Sequence, residues 1–548
     1  MLFQQTYAKP SGIKHIQGQT LVDFAPDISR EPTFFRGKIA DPIRYRDAMI
    51  ALRDVVVSDL NYKPRDHSAY QAWVQEQYLL DIADVLEAHQ QVADRMKEIV
   101  LRIRELDRLR DIRNADFFKA RSRYFNWLWE NDKPGWYVLD PVITVAPDQV
   151  FFEAFSLDES SYGRLAVHDR LFSDVKEFQY GTTNIDFSDS LLGALKRIRT
   201  YRPTEFQIDP SGFEVATAGH EVYKEQKIDV PESWVRGFLQ VQSAMNLPTV
   251  SFEMKPIHLY NLCLFLRQHR EKQGPRSLRF ILKPGESVKV VMEPWSEELV
   301  LSGSIYQGTE AREIRTWGRR RLFLLERLLP LANKITVHLL GTGLPSFYIV
   351  DMGALSFTLG LSGWTRNDWA AAGNFDLMVG QSKEVTPEQS TQVFDQLKHK
   401  KTTSLGELVS WTKLSDEVVQ GALRQLCSAG RVMFDLEIGK YRLRELTKDP
   451  LPMDQLMYAN PREEKAKELI ETEKVIVQKI ESIEKGISLS GEVHGQSIQI
   501  TPSVELDEDR RIKNANCNCF FFRRNRLTQG PCEHILSLIT LFDRTHRQ

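Results

Sequence analysis

Apolar and polar positions change their spacing several times along the chain. From Asp66 to Glu130 there is neither proline nor glycine, and Val92, Met96, Ile99, Ile103 and Leu106 recur at helical steps of three and four. Charged residues fill the positions between them. The pattern predicts a helical N-terminal region over residues 1–140, with long helices paired as an antiparallel hairpin. The seam spans about two heptads, short of the three or four that specify a coiled coil. Over residues 141–380 the spacing shifts to short apolar runs bounded by turn residues. Strands are expected at 278–282, 287–292, 298–305, 335–340 and 346–361, with an amphipathic helix at 257–273. Many strands with few intervening helices predict an α+β body.

Residues 383–446 read as helix, short helix, helix and hairpin. Pro387 opens the first helix, Ser404 and Glu407 form a capping box for the second, and Ser415 caps the third, which Gly430 closes. A two-stranded wing over 432–443 follows, and the order resembles a winged helix. The last region, 460–548, opens with a charged helix expected over 462–485. A hairpin follows, in which Ile487, Leu489 and Val493 alternate along one arm and Ile498, Ile500, Val504 and Leu506 along the other. The fold class expected is thus α+β multidomain: helical region, α+β body of unassigned role, winged helix, and a C-terminal hairpin and helix.

Chemistry enters with the cysteines. The chain has five, and three of them lie within sixteen residues, in Cys517-Asn518-Cys519 and Cys532-Glu533-His534. Three thiolates and one imidazole make a Cys3His set, the stereochemistry of structural zinc. Four protein ligands leave no position for a reacting water, so one structural zinc ion is expected. Cys532 and His534 open an amphipathic helix whose positive end favours a thiolate. Cys263 and Cys427 sit in apolar helices and are expected to be core thiols.

The run NCNCFFFRRNRLTQGPCEHILSL, placed after a hairpin, resembles a SWIM-type zinc finger. The resemblance covers about the last sixty residues, and its ligand spacing matches without departure. It implies zinc at Cys517, Cys519, Cys532 and His534 and a role in binding DNA or protein. The wider layout, with phrases such as PDQVFFEAFSLDESSYGRL and GTTNIDFS, resembles bacterial SWIM proteins found with MoxR-type AAA+ ATPases and von Willebrand factor A proteins. That resemblance implies such proteins as partners and assigns no catalytic residue.

Charge refines the picture. Lys+Arg total 72 and Asp+Glu 74 among 548 residues, a net charge of −2 that excludes a wholly basic nucleic-acid coat. Yet residues 510–548 hold eight basic residues against two acidic ones. Arg523, Arg524, Arg526 and Lys513, with Phe521 beside them, are the candidate nucleic-acid contacts, cations for phosphate and a ring for stacking. The alternative is that the phenylalanines are core and the arginines a solvated face. The third helix of 383–446 would offer Gln420, Arg424 and Gln425 to a major groove. It opens with Asp416 and Glu417, and the segment is nearly neutral, so protein contacts are an equal reading. Arg312, Arg315, Arg319, Arg320 and Arg321 read as a solvated helix start, with phosphate contact as the alternative.

No P-loop, H-E-x-x-H, G-x-S-x-G or deaminase pattern occurs. No apolar run reaches the length of a membrane span, and the N-terminus has no secretory pattern. The function expected is a non-enzymatic, cytoplasmic zinc-binding adaptor for a macromolecular partner. The alternatives are a DNA-binding regulator and a nuclease- or transposase-like enzyme built from dispersed carboxylates.

Overall fold

The computed structural model of the protein describes residues 5–7, 11–16, 19–27, 32–58, 101–102, 105, 141–185, 195–201, 203–208, 225–227, 232–271, 274–363, 385–446, 461–484, 486–494, 499–527 and 530–545. Residues 59–138 form a compact unit of their own. Of these, 101, 102 and 105 are described and are helical. The apolar seam from Val92 to Leu106 lies outside the described residues.

The rest of the chain is mixed α+β. The expectation of a wholly helical N-terminal region is corrected. Gly12–Ile16, Gln19–Phe24 and Phe34–Ile39 are strands, joined in one sheet by Thr204–Ile208 and Phe172–Gln179. These short runs are rich in β-branched and aromatic residues, which favour the pleated strand. Helix α1 (Pro42–Val56) follows them, capped by the Asp41 carboxylate.

The centre of the body is an eight-stranded sheet in the order Val250–Met254, Lys334–Leu339, Ser346–Asp351, Leu355–Leu361, Ser161–His168, Gln149–Phe155, Val142–Val145 and Gly181–Asn184. Gln149–Phe155 and Leu355–Leu361 are buried at every residue. That continuity follows from coverage of both faces. On one face, Phe152 meets Phe24 and Phe206, and Gly163 lets Val55 of α1 close to within 3.2 Å of where a Cβ would stand. On the other, Phe155 packs on Trp234 and Phe238 of α2 (Glu232–Met245). Helix α3 (Pro256–Gln268) and a 3₁₀ segment, Arg319–Leu331, pack together beside a four-stranded sheet formed by residues 278–316. Arg319 and Arg321 are buried there, 2% and 6% exposed, so the arginine run is not a solvated helix start.

Residues 385–446 give α4 (Pro387–Lys400), α5 (Leu405–Thr412) and α6 (Asp416–Ser428), then the hairpin Val432–Asp435 and Lys440–Leu443. Thr402–Thr403 adds a third strand. The Ser404–Glu407 capping box forms as expected. The core of this unit is Val393, Leu397, Leu408, Val419, Leu423 and their neighbours. It is not free-standing: α6 packs on α2, and the hairpin lies on the eight-stranded sheet.

The charged helix expected over 462–485 is half that length. Helix α7 (Pro461–Glu471) stops, Glu473 takes φ +51°, and Val475–Ile483 is a strand. Val475, Ile476 and Val477 are β-branched and prefer the pleated surface. This strand heads a sheet continued by Gly486–His494, Ser503–Leu506 and Ile512–Asn516. Short α8 (Phe520–Asn525) and α9 (Glu533–Thr545) complete the module. Among the described residues, no helix is long and apolar enough to cross a membrane.

Candidate metal centre

Each ligand is positioned by an element end. Cys517 directly follows the strand Ile512–Asn516. Cys519 is the N-cap of α8, and its Sγ accepts a hydrogen bond from the Phe522 N–H at 3.3 Å. Cys532 precedes α9, and His534 lies in its first turn. Asn518, between the first two cysteines, donates to the Gln499 carbonyl at 3.1 Å and accepts from the Thr501 N–H at 3.0 Å. These bonds fasten the Cys-x-Cys turn to the neighbouring strand. Beneath lies a core of Leu489, Val504, Leu506, Phe522, Ile535, Leu538 and Phe542.

The ligand atoms of Cys517, Cys519, Cys532 and His534 all lie within 4.8 Å of one another, and all four residues are buried. A tetrahedral dication with sulfur bonds of about 2.3 Å holds its ligands about 3.8 Å apart. The cluster is therefore of the right size for one ion. The donor chemistry fits as well: His534 Nδ1 is buried with no hydrogen-bond partner among the described residues. In protein alone the thiols compete for charge. The hydrogen bond with Cys517 pulls Cys532 down to about 4 against the effect of burial, while the same bond and burial push Cys517 up. Burial also raises Cys519. A cation at the centre would relieve this competition by stabilising all three thiolates.

The structure separates the expected nucleic-acid contacts. Arg523, Arg524, Arg526 and Lys513 are exposed and make no ion pair among the described residues. Phe521 is half-buried on the module core, with the Arg462 guanidinium 4.8 Å above its ring. Phe522 is buried. The exposed ring is Phe520, at 80%. It lines a cavity of about 440 Å³ together with Cys519, His534, Glu533, Arg462 and Lys465. Arg462 and Lys465 come from α7, more than fifty residues upstream, and the three-residue step that puts them on one helix face was their only sequence signal. Cys263 and Cys427 are core thiols as expected, both pushed up by burial to about 12.

The other candidate surface is partly covered, with Gln425 exposed. Val419, Ala422, Leu423 and Leu426 of α6 are buried, and Gln420 and Arg424 are half-buried. The hairpin after α6 carries Asp435, fully buried, which accepts from Arg164 at 2.8 Å and Arg442 at 2.7 Å. Arg442 also reaches Asp148 at 2.6 Å, and Arg444 lies 3.3 Å from Glu153. Tyr441 donates to Asn246 at 2.6 Å.

No family model and no curated protein matches the chain. Among solved structures, it is similar to the proliferating cellular nuclear antigen of Entamoeba histolytica at 11% identity and TM-score 0.29, over 41% of this chain and 89% of that one. It is also similar to A. fulgidus PCNA, solved with the C-terminal region of FEN-1, at 13% identity and TM-score 0.27 over 41% and 89%. For PCNA from Thermococcus kodakaraensis the values are 14% and 0.27, over 41% and 91%. Similarity at this level fixes neither the fold nor the function of this chain.

Proposed function

We propose that the protein is a non-enzymatic adaptor whose C-terminal module is a SWIM-type finger built around one structural zinc ion. The observation that carries this reading is the buried Cys3His tetrad within 4.8 Å. Soft sulfur donors in tetrahedral array favour zinc over magnesium or calcium, and four protein ligands leave no site for a reacting water. Zinc here supplies cross-linking: it ties the strand end at Cys517 to α9 across a small core. The module then presents a fixed surface to a macromolecular partner.

In this proposal residues 383–446 are a winged-helix unit serving protein contacts within and around the chain. Its third helix and hairpin are committed to the body, which supports that use over DNA reading. The partner proposed for the body is an AAA+ ATPase with a von Willebrand factor A protein, as the resemblance implies. The test is to purify the chain with its metal and assay it alone. One zinc per chain, lost in Cys532→Ser, with no hydrolysis of ATP or nucleic acid, is the expected outcome. Hydrolysis abolished by a point substitution would sink the adaptor reading.

A further inference from the structure

The cavity beside the metal centre has a built asymmetry. It is lined by the metal ligands Cys519 and His534, by Glu533 and by the cations Arg462 and Lys465. Three thiolates around a dication would leave one negative charge, which with Glu533 disfavours an anion on the side of the metal. Its outer lip is different: Phe520 stands there 80% exposed, and Lys465 is exposed beside it. On α8, Arg523 and Arg524 follow Phe520 by three and four residues, which places them on its face of the helix. A ligand suited to this seat has a flat neutral part for the inside and an anionic part for the outside.

We propose that this cavity seats an unstacked base of a single-stranded nucleic acid. Phe520 is the stacking platform, and Arg523, Arg524 and Lys465 contact the flanking phosphates. The assignment rests on the reading of the C-terminal module as the partner-binding end. An acidic peptide fits less well, because its charges would meet Glu533 and the metal cluster. A duplex fits less well, because a concave site of about 440 Å³ accepts a splayed base and not a paired one. The volume lies within the roughly 300–1,000 Å³ range of small-ligand sites. The other duplex-reading candidate, α6, buries one face on the body, and its exposed first turn is acidic. Phe521, the ring expected from sequence, is already covered by Arg462.

The test is fluorescence anisotropy of the full-length, zinc-loaded chain with fluorescein-labelled oligo-dT, oligo-U and a mixed duplex, each about 20 nucleotides, across a salt series. Metal content is measured on the same samples. The single strands should bind at least about tenfold tighter than the duplex. Phe520→Ala should weaken binding about tenfold with an unchanged salt slope, and Phe520→Trp should retain it. The Arg523→Ala/Arg524→Ala double variant should flatten the log–log slope by roughly 1.4, about 0.7 per lost phosphate contact. Phe520 is exposed, so its variants fold. The proposal is overturned if the duplex binds as tightly, if Phe520→Ala binds like the parent, or if polyglutamate competes as well as oligo-dT. Absent binding with one zinc per chain overturns this proposal alone, whereas a chain that takes up no zinc overturns the module reading beneath it.

Discussion

At Asp435 a fully buried carboxylate is held by two arginines that are themselves 3% and 1% exposed. Burial alone would raise its pKa, but Arg164 and Arg442 bring it down to about 2. A depressed carboxylate stabilises the fold above its unfolded value near 3.8, and that contribution disappears as pH falls toward 2. Acid unfolding in that window should therefore be steeper than in Asp435→Asn. The substitution itself should cost up to about 3–5 kcal/mol at neutral pH, since two buried guanidiniums lose the anion they share and keep only Glu437 at 3.8 Å from Arg164 and Asp148 at 2.6 Å from Arg442. Denaturant titration of both proteins across pH measures each effect. At this scale the sequence was legible where chemistry is local. The Cys-x-Cys and Cys-x-His spacings name the ligand set because each pair is closed by one turn. Which of Phe520, Phe521 and Phe522 faces solvent depends on where α8 sits on its core, and three identical residues in a row carry no such information.

Elements were legible where a cap or a long period marks them. Ser404 with Glu407 and Ser415 each open the helix they predict. The error at 475–483 has a physical source. Ile476, Ile480 and Ile483 fall at helical steps in a charged segment, yet they lie on a largely exposed strand that pairs with Gly486–His494 as a hairpin. The strand's β-branched start was the competing signal. This strand, its sheet and α9 form the module that the metal ties together. Chelation should melt this module first, because metal binding in a unit this small supplies much of its folding free energy. Hydrogen exchange should speed up across Ile512–Asn516 and Glu533–Thr545 while the eight-stranded sheet stays protected. Equal loss of protection in both would contradict that division.

At the scale of the whole molecule, the parts of the described body are locked by buried polar contacts that join residues far apart in sequence. Asp509, 3% exposed, accepts from the Arg276 N–H at 2.8 Å and the Trp317 indole N–H at 3.1 Å, fixing the C-terminal module on the body. Gly274 makes this approach possible: a Cβ there would stand 2.5 Å from an Asp509 oxygen. Asp509→Ala removes the acceptor shared by the half-buried Arg276 N–H and the buried Trp317 indole N–H, at about 1–3 kcal/mol each. It should raise exchange at Arg276 and Trp317 without releasing the metal. Such docking was invisible in the sequence, because an acid in a turn looks the same whether it meets solvent or a distant backbone. The 72 and 74 opposing charges likewise gave no hint that several arginines are core residues.

The central claim is the closed zinc tetrad, and X-ray absorption at the zinc edge on the purified full-length chain, with metal content measured in parallel, tests it most directly. The account predicts one zinc per chain with three sulfur ligands at about 2.3 Å and one nitrogen at about 2.0 Å. A chain that holds no zinc, or zinc with an oxygen ligand in place of one of the four, would contradict it.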